Sequence, residues 1–269
     1  LLLVAQKLFD RLALKDMIVC NALIAGYSEA GHGEEALTCL NEMQLLGIAP
    51  DVVTCIYALK ACGIIQALDE GQEIHRQIAK FGLLKSEILV GNALVDMYAK
   101  SGSMIEAQLV FDSMVVKDIV SYNILTTGYA RHGKSECVAC LLERMATECL
   151  EPNDITFLCA LSASSHAGLI DVGKTYFEIM AEGYNIGPSI EHYNCLMDLL
   201  GRTGHLDEAV AMLDRLPFQP NDITWISLLS SCQKLGDLKL GRILFNSLKG
   251  EPDNHPAAFV LMSNICEDA

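Results

Sequence analysis

An eleven-residue pattern recurs four times in this chain: NALIAGYSEAG at Asn21 to Gly31, NALVDMYAKSG at Asn92 to Gly102, NILTTGYARHG at Asn123 to Gly133 and NCLMDLLGRTG at Asn194 to Gly204. Each copy opens on asparagine and carries apolar residues at helical spacing. It closes on glycine, the residue that leaves a helix most readily through a left-handed backbone. Each copy reads as one helix and its stop. The copies are separated by 71, 31 and 71 residues, so the pattern has an outer period of 102. The same offset carries Phe9-Asp10 and Lys15-Asp16 onto Phe111-Asp112 and Lys117-Asp118, and Leu59, Ala61 and Gly71 onto Leu161, Ala163 and Gly173. Unrelated landmarks that share one offset mark a repeat architecture.

A second helix follows the glycine in each period. Ala107, Val110, Phe111 and Met114 fall on one helical face, as do Leu37, Leu40 and Met43. Proline marks the ends of longer units at Pro50 and Pro152. The chain divides into a partial unit 1–16, then units 17–51, 52–87, 88–118, 119–153, 154–189 and 190–221, a degenerate unit 222–254 and a truncated segment 255–269. A unit of this size forms two helices but cannot bury its apolar stripe alone, so neighbours must stack. The expected fold is all-α, an α-solenoid superhelix of stacked two-helix repeats. Strand signals are nearly absent, and Val52-Val53 reads as helix entry.

Composition bounds the function. Half of the 269 residues are apolar, enough for an extensive core, and polar residues interrupt every apolar run before it could span a bilayer. The chain reads as soluble, with no membrane partner. It begins on Leu1 inside an apparent helix, as a fragment would. Its eleven cysteines are scattered over helical positions such as Cys20, Cys39, Cys62, Cys159, Cys195 and Cys232, which suits small core residues in a reducing compartment. The formal charge of −15 excludes a generic polyanion binder resting on dense lysine and arginine.

The stretches GIAPD from Gly47, GNALVDMYAKSG from Gly91, SYNILTTGYARHG from Ser121 and IEHYNCLMDLLGRTGHLDEA from Ile190 resemble the plant pentatricopeptide repeat family. The alternating spacing, with LKACG at Leu59 and GQEIH at Gly71, is similar to its PLS subclass, in which long, ordinary and short motifs alternate. Segment 222–254 resembles the extension motif of members that act in organellar RNA editing, and FVLMSN at 259–264 the start of the next extension. The resemblance implies sequence-specific binding of single-stranded RNA, a role as specificity factor for cytidine-to-uridine editing, and residence in the mitochondrion or chloroplast. It implies no catalytic activity for this chain, whose deaminase or other editing-complex protein would be a partner. No cofactor or metal is expected.

A lone asparagine near a helix start reads as a start signal or an inter-helix hydrogen bond. Four equivalent copies point further, because an amide offers both donor and acceptor to the edge of an unpaired base. The family pairs this asparagine with the residue closing the same unit, which gives Asn21 with Asp51, Asn92 with Asp118, Asn123 with Asn153 and Asn194 with Asn221. By resemblance, asparagine with aspartate favours uracil, and asparagine with asparagine favours cytosine or either pyrimidine. The implied target is U-x-U-Y-x-Y, with Y a pyrimidine. The long units place Ile56 and Leu158 at the asparagine position, and those two steps are blank. The family also places a base-stacking residue three positions before the asparagine, here Ile18, Leu89 and Val120, while Glu191 departs from the pattern.

Other groupings are weak. Cys137-Val-Ala-Cys140 and His32-Gly-Glu34 hold the ingredients of a zinc deaminase, but in the wrong order and in ordinary second-helix regions. His166, His192 and His205 sit near helix ends, and Gly168 and Gly173 read as turn and packing glycines because no strand precedes them. A protein-binding scaffold, or another organellar RNA-processing role, is the alternative function.

Overall fold

The computed structural model describes residues 2–12, 14–80, 82, 87–248 and 256–267. Among them are sixteen α-helices and no strand. The portions of the expected segments 222–254 and 255–269 that fall at 249–255 and 268–269 lie outside the described residues. The chain splits into two compact units, Leu1–Gly128 and Tyr129–Ala269.

The first unit holds α1 (Leu2–Arg11), α2 (Met17–Glu29), α3 (Gly33–Leu45), α4 (Val52–Ile65), α5 (Leu68–Lys80), α6 (Ile88–Lys100), α7 (Met104–Ser113) and most of α8 (Ile119–Arg131). In it α2 packs on α3 and α4, α4 on α5 and α6, and α6 on α7. Ile24, Leu59, Leu94 and Met97 are fully buried between these helices, and Phe111 meets Tyr122 edge-on at 5.0 Å. The second unit holds α9 (Ser135–Thr147), α10 (Asp154–Ala167), α11 (Ile170–Glu178, continued by a π turn at Ile179–Gly183), α12 (Ile190–Arg202), α13 (Leu206–Leu213), α14 (Asp222–Leu235), α15 (Leu238–Ser247) and α16 (Pro256–Glu267). Here α10 packs on α9, α11 and α12, α12 on α13 and α14, and α14 on α15 and α16. Each unit is thus a stack of helical hairpins. The first helices α2, α4, α10, α12 and α14 each touch their own second helix and the next first helix.

The glycine-terminated pattern maps onto these first helices. Gly31 and Gly102 take φ of +82° and +80°, where a side chain would be strained. Past them the His32 N–H donates to the Tyr27 carbonyl, and the Ser103 N–H to the Tyr98 carbonyl, both at 2.9 Å. These bonds satisfy the orphaned carbonyls of the helix end. The helix starts differ from the expectation. Asn21, Asn92, Asn123 and Asn194 are each the fifth residue of their helix, not its first, so the asparagine is no start signal.

The anticipated second-helix face is buried at Ala107, Val110, Phe111 and Met114, and at Leu40 and Met43, with Leu37 half-buried. Val52 opens a helix, as its pattern suggests. All eleven cysteines are free. Burial pushes the Cys39, Cys55 and Cys232 thiols up to about 11 and those of Cys62 and Cys195 to about 12, so these are inert packing groups.

Candidate nucleic-acid interface

The residues that close units 17–51, 119–153 and 190–221 are helix N-caps. Asp51, Asn153 and Asn221 each accept from the backbone N–H three residues on, at Thr54 (2.8 Å), Thr156 (3.1 Å) and Thr224 (3.0 Å). The threonine hydroxyl in turn accepts from the cap's own N–H, completing a capping box. Asp118 makes the same reciprocal pair with Ser121, at 2.8 and 3.2 Å. The signature, Asp or Asn followed three positions later by Thr or Ser, stands in the sequence and was missed in favour of the asparagine.

The cap lies beside the asparagine of the preceding first helix. Asn21 Nδ2 donates to Asp51 Oδ1 at 3.0 Å, and Thr54 Oγ1 donates to Asn21 Oδ1 at 2.5 Å. The second unit repeats this geometry: Asn194 Nδ2 donates to Asn221 Oδ1 at 3.3 Å, and Thr224 Oγ1 to Asn194 Oδ1 at 2.7 Å. An inter-helix hydrogen bond is therefore part of what this asparagine does. Each amide keeps one N–H and one oxygen lone pair uncommitted, and Asp51 keeps its second oxygen. Burial raises the Asp51 pKa, but the bonds from the Thr54 backbone N–H and from Asn21, with the Thr54 hydroxyl 2.8 Å away, outweigh it and hold the carboxyl below its ordinary 3.8.

Asn92 is arranged differently. It is 6% exposed, and its Oδ1 is buried with no hydrogen-bond partner. The Ser121 hydroxyl instead donates to Asp118 Oδ1 at 2.9 Å. Asn92 borders a groove of about 370 Å³ lined also by Ile56, Lys60, Leu89, Ala93, Asp96 and Ile124. Asn123, 7% exposed, lies in the first compact unit and Asn153 in the second.

The three expected stacking residues are exposed: Ile18 at 73%, Leu89 at 61% and Val120 at 51%. Each is the second residue of its helix. The same place in α4, α10 and α14 holds Val53, Ile155 and Ile223, all exposed and all overlooked because their units lack the asparagine. Among the described first helices, the exposed Glu191 of α12 and Ala257 of α16 interrupt the series. Branched apolar side chains facing water at the same helical position in six helices are not core residues.

Charge follows the helix dipole in both kinds of helix, since the first helices α10, α12 and α14 also open on Asp154, Glu191 and Asp222 and the second helices α5 and α9 also close on Lys80 and Arg144. The first turns of α3, α5, α7, α9, α11 and α13 all carry Asp or Glu, where helix dipoles favour them. The last turns of α6, α8, α10, α12 and α14 carry Lys100, Arg131, His166, Arg202 and Lys234. One turn beyond the asparagines, Asp96 pairs with Lys100 at 2.6 Å, and Asp198 with Arg202 at 2.7 Å. Asp198 also accepts from Ser165 at 2.6 Å and Ser227 at 3.4 Å, tying α10, α12 and α14 together.

The described residues hold no group of three or more His, Cys, Asp or Glu side chains able to bind a metal. His32 precedes α3, and Cys137 and Cys140 lie along α9. His192 is a buried capping-box residue, its ring within 2.9 Å of the Asp154 carbonyl oxygen, and His205 precedes α13. No helix among the described residues is long and apolar enough to cross a membrane.

Comparisons with known proteins agree with this fold. A profile described as "PPR repeat family" matches residues 15–63, one described as "PPR repeat" matches 92–119 and 191–217, and one described as "Pentatricopeptide repeat domain" matches 109–165. A chloroplastic pentatricopeptide repeat-containing protein of Arabidopsis thaliana is 39% identical over 97% of this chain and 36% of its own length. A mitochondrial one from the same plant is 34% identical over 98% of this chain and 42% of its own length. The chain thus spans well under half of either relative. Among solved structures, the pentatricopeptide repeat protein PPR10 from maize covers the whole chain with a TM-score of 0.65 at 23% identity, over 42% of its own chain. PPR10 bound to an 18-nt psaJ RNA element covers 97% of this chain with a TM-score of 0.58 at 22% identity, over 37% of its own chain. With such profiles over more than half of its residues and relatives aligned along nearly all of it, the chain belongs to the pentatricopeptide repeat family.

Proposed function

We propose that this chain reads single-stranded RNA base by base and serves as a specificity factor for cytidine-to-uridine editing of organellar transcripts. The observation that carries the reading is the recurrence of one local device. An exposed apolar residue at the second position of a helix stands three residues before Asn21, Asn92 and Asn123, and the capping residue of the next first helix hydrogen-bonds to the amide of Asn21 and of Asn194, the latter with Glu191 in the apolar place. Stacking on such a side chain contributes about 1–3 kcal/mol per base whatever the base, and the amide pair adds the choice between bases. The chloroplastic and mitochondrial relatives, and the RNA bound by PPR10, support an organellar RNA target. The PLS subclass and the extension motif at 222–254 belong to the same proposal, and the deaminase would be supplied by a partner or by another part of the protein.

Selection of bound sequences from a randomised single-stranded RNA pool tests the reading. The expected product is U-x-U-Y-x-Y, and Asn92→Ser is expected to move the preference at one position, and only there, from uracil to a purine. Absence of any positional preference would favour a protein-binding scaffold instead.

A further inference from the structure

The four reading amides are not held alike. Asn21 and Asn194 each receive a proton from the threonine at the third position of the next first helix, Thr54 at 2.5 Å and Thr224 at 2.7 Å. Both hydroxyls are buried. A threonine hydroxyl can donate to the amide oxygen but not to both amide atoms, and the cap oxygen opposite it can only accept. The two together admit one amide orientation, with Oδ1 toward the threonine and Nδ2 toward the cap. At Asn92 the equivalent residue is Ser121, whose single proton goes to the Asp118 carboxylate, and Asn92 Oδ1 accepts nothing although it is buried. No hydroxyl fixes the orientation of its amide.

We propose that Thr54 and Thr224 are positioning residues that orient the reading amides of Asn21 and Asn194, and that Asn92, which lacks such an orienting hydroxyl, discriminates less sharply between bases. The proposal rests on the base-reading role assigned above. A fixed amide presents one remaining donor and one remaining acceptor in a set arrangement, so a base with the wrong edge leaves them unpaired. An amide that no hydroxyl orients can swap donor for acceptor and meet either edge, at the cost of selectivity rather than of contact. The Thr224 pair is the cleaner of the two for a test, because its rival acceptor, Asn221 Oδ1, is a neutral amide at 3.0 Å and competes weakly for the proton.

The test uses the whole chain and a randomised single-stranded RNA pool. Asn194→Ala first identifies the nucleotide read by Asn194, as the position whose preference it flattens. Thr224→Val, which keeps the branched shape and removes only the hydroxyl, is then expected to lower the preference at that nucleotide about three- to tenfold, the worth of one hydrogen bond to the wrong or right edge. Thr224→Ser, which keeps the hydroxyl, should preserve it. A preference is a ratio within one protein, so any weakening of the capping box by Thr224→Val cancels. In the free protein, the Asn194 side-chain amide protons should be protected from exchange with water and lose that protection in Thr224→Val, while those of Asn92 exchange fast from the start. If Asn194→Ala flattens no position, the base-reading role itself fails. If it flattens one, but Thr224→Val leaves that position sharp and the Asn194 amide protected, the positioning role is overturned.

Discussion

Asp51 shows how one side chain serves two neighbours. Its Oδ1 caps α4 through the Thr54 N–H and accepts from Asn21 across the hairpin. These bonds favour the ionised form, which sets a pH dependence of stability. A carboxylate whose folded pKa lies below its ordinary value contributes stability that is present above the ordinary value and lost as pH falls through the folded one. For Asp51 that window lies below 3.8. Acid unfolding should therefore show wild type losing stability relative to Asp51→Asn as pH drops beneath that value, the two curves running parallel above it. Parallel curves throughout would mean that Asp51 is not held ionised by these bonds. Both members of the pair were legible in the sequence through repetition. That they touch was legible only as a family trait, because Asn21 and Asp51 are separated by a whole helix α3 and two turns. The capping role of Asp51 was readable from Thr54 three positions on, and it suits Asp or Asn at the site, since both can accept from a helix N-terminus.

Whole helices were legible where repetition is by identity and less so where it is by property. The glycine stops recur as the same residue and locate the helix ends. The opening turns read MIVC, ILVG, IVSY and IEHY, which share an exposed second position but no common residue, so the repeated pattern begins at the asparagine and loses the first turn. The same reason hid Val53, Ile155 and Ile223. Packing between helices is set by small residues that no periodicity reveals. A Cβ built on Gly33 at the start of α3 would lie 2.8 Å from the Ala61 carbonyl oxygen of α4 and 2.6 Å from Ile65 Cγ2. Backbone cannot give way as a side-chain tip can, so Gly33→Ala is expected to destabilise the first unit by about 1–3 kcal/mol in urea denaturation. Gly26, inside α2, meets nothing closer than Leu2 Cδ2 at 3.5 Å. Gly26→Ala should be neutral or stabilising by up to about 1 kcal/mol, the helix-propensity gain. Equal losses in both variants would show that glycine serves the backbone and not the approach of α3 to α4.

At the scale of the molecule, the fold class followed from the 102-residue period, since hairpins that cannot bury their stripes alone have only stacking open to them. Net charge misled, because a sum says nothing about placement. Carboxylates stand in the first turns of α3, α5, α7, α9, α11 and α13, and also of the first helices α10, α12 and α14. Of the first helices that carry the asparagines, α6, α8 and α12 end on the basic residues Lys100, Arg131 and Arg202, while α2 has none in its last turn. Two of these, Lys100 and Arg202, are already paired with Asp96 and Asp198, which leaves few charges for phosphates. If the chain reads RNA as proposed, its affinity comes chiefly from stacking and base edges, which release no counterions. A single strand whose phosphates are contacted at about three places or fewer gives a slope of log K against log salt of about −2 or shallower, against about −10 for a strongly basic binder. Titration of the selected RNA from low to moderate salt should give that shallow slope, and a low-affinity RNA with the reading positions altered should give the same one, because both engage the same phosphates. A steep slope shared by both would place the binding energy on the backbone and remove the asparagine row from its central role. A slope that differed between the two would mean that base reading and phosphate contact are coupled, so that the strand shifts its register when the bases change.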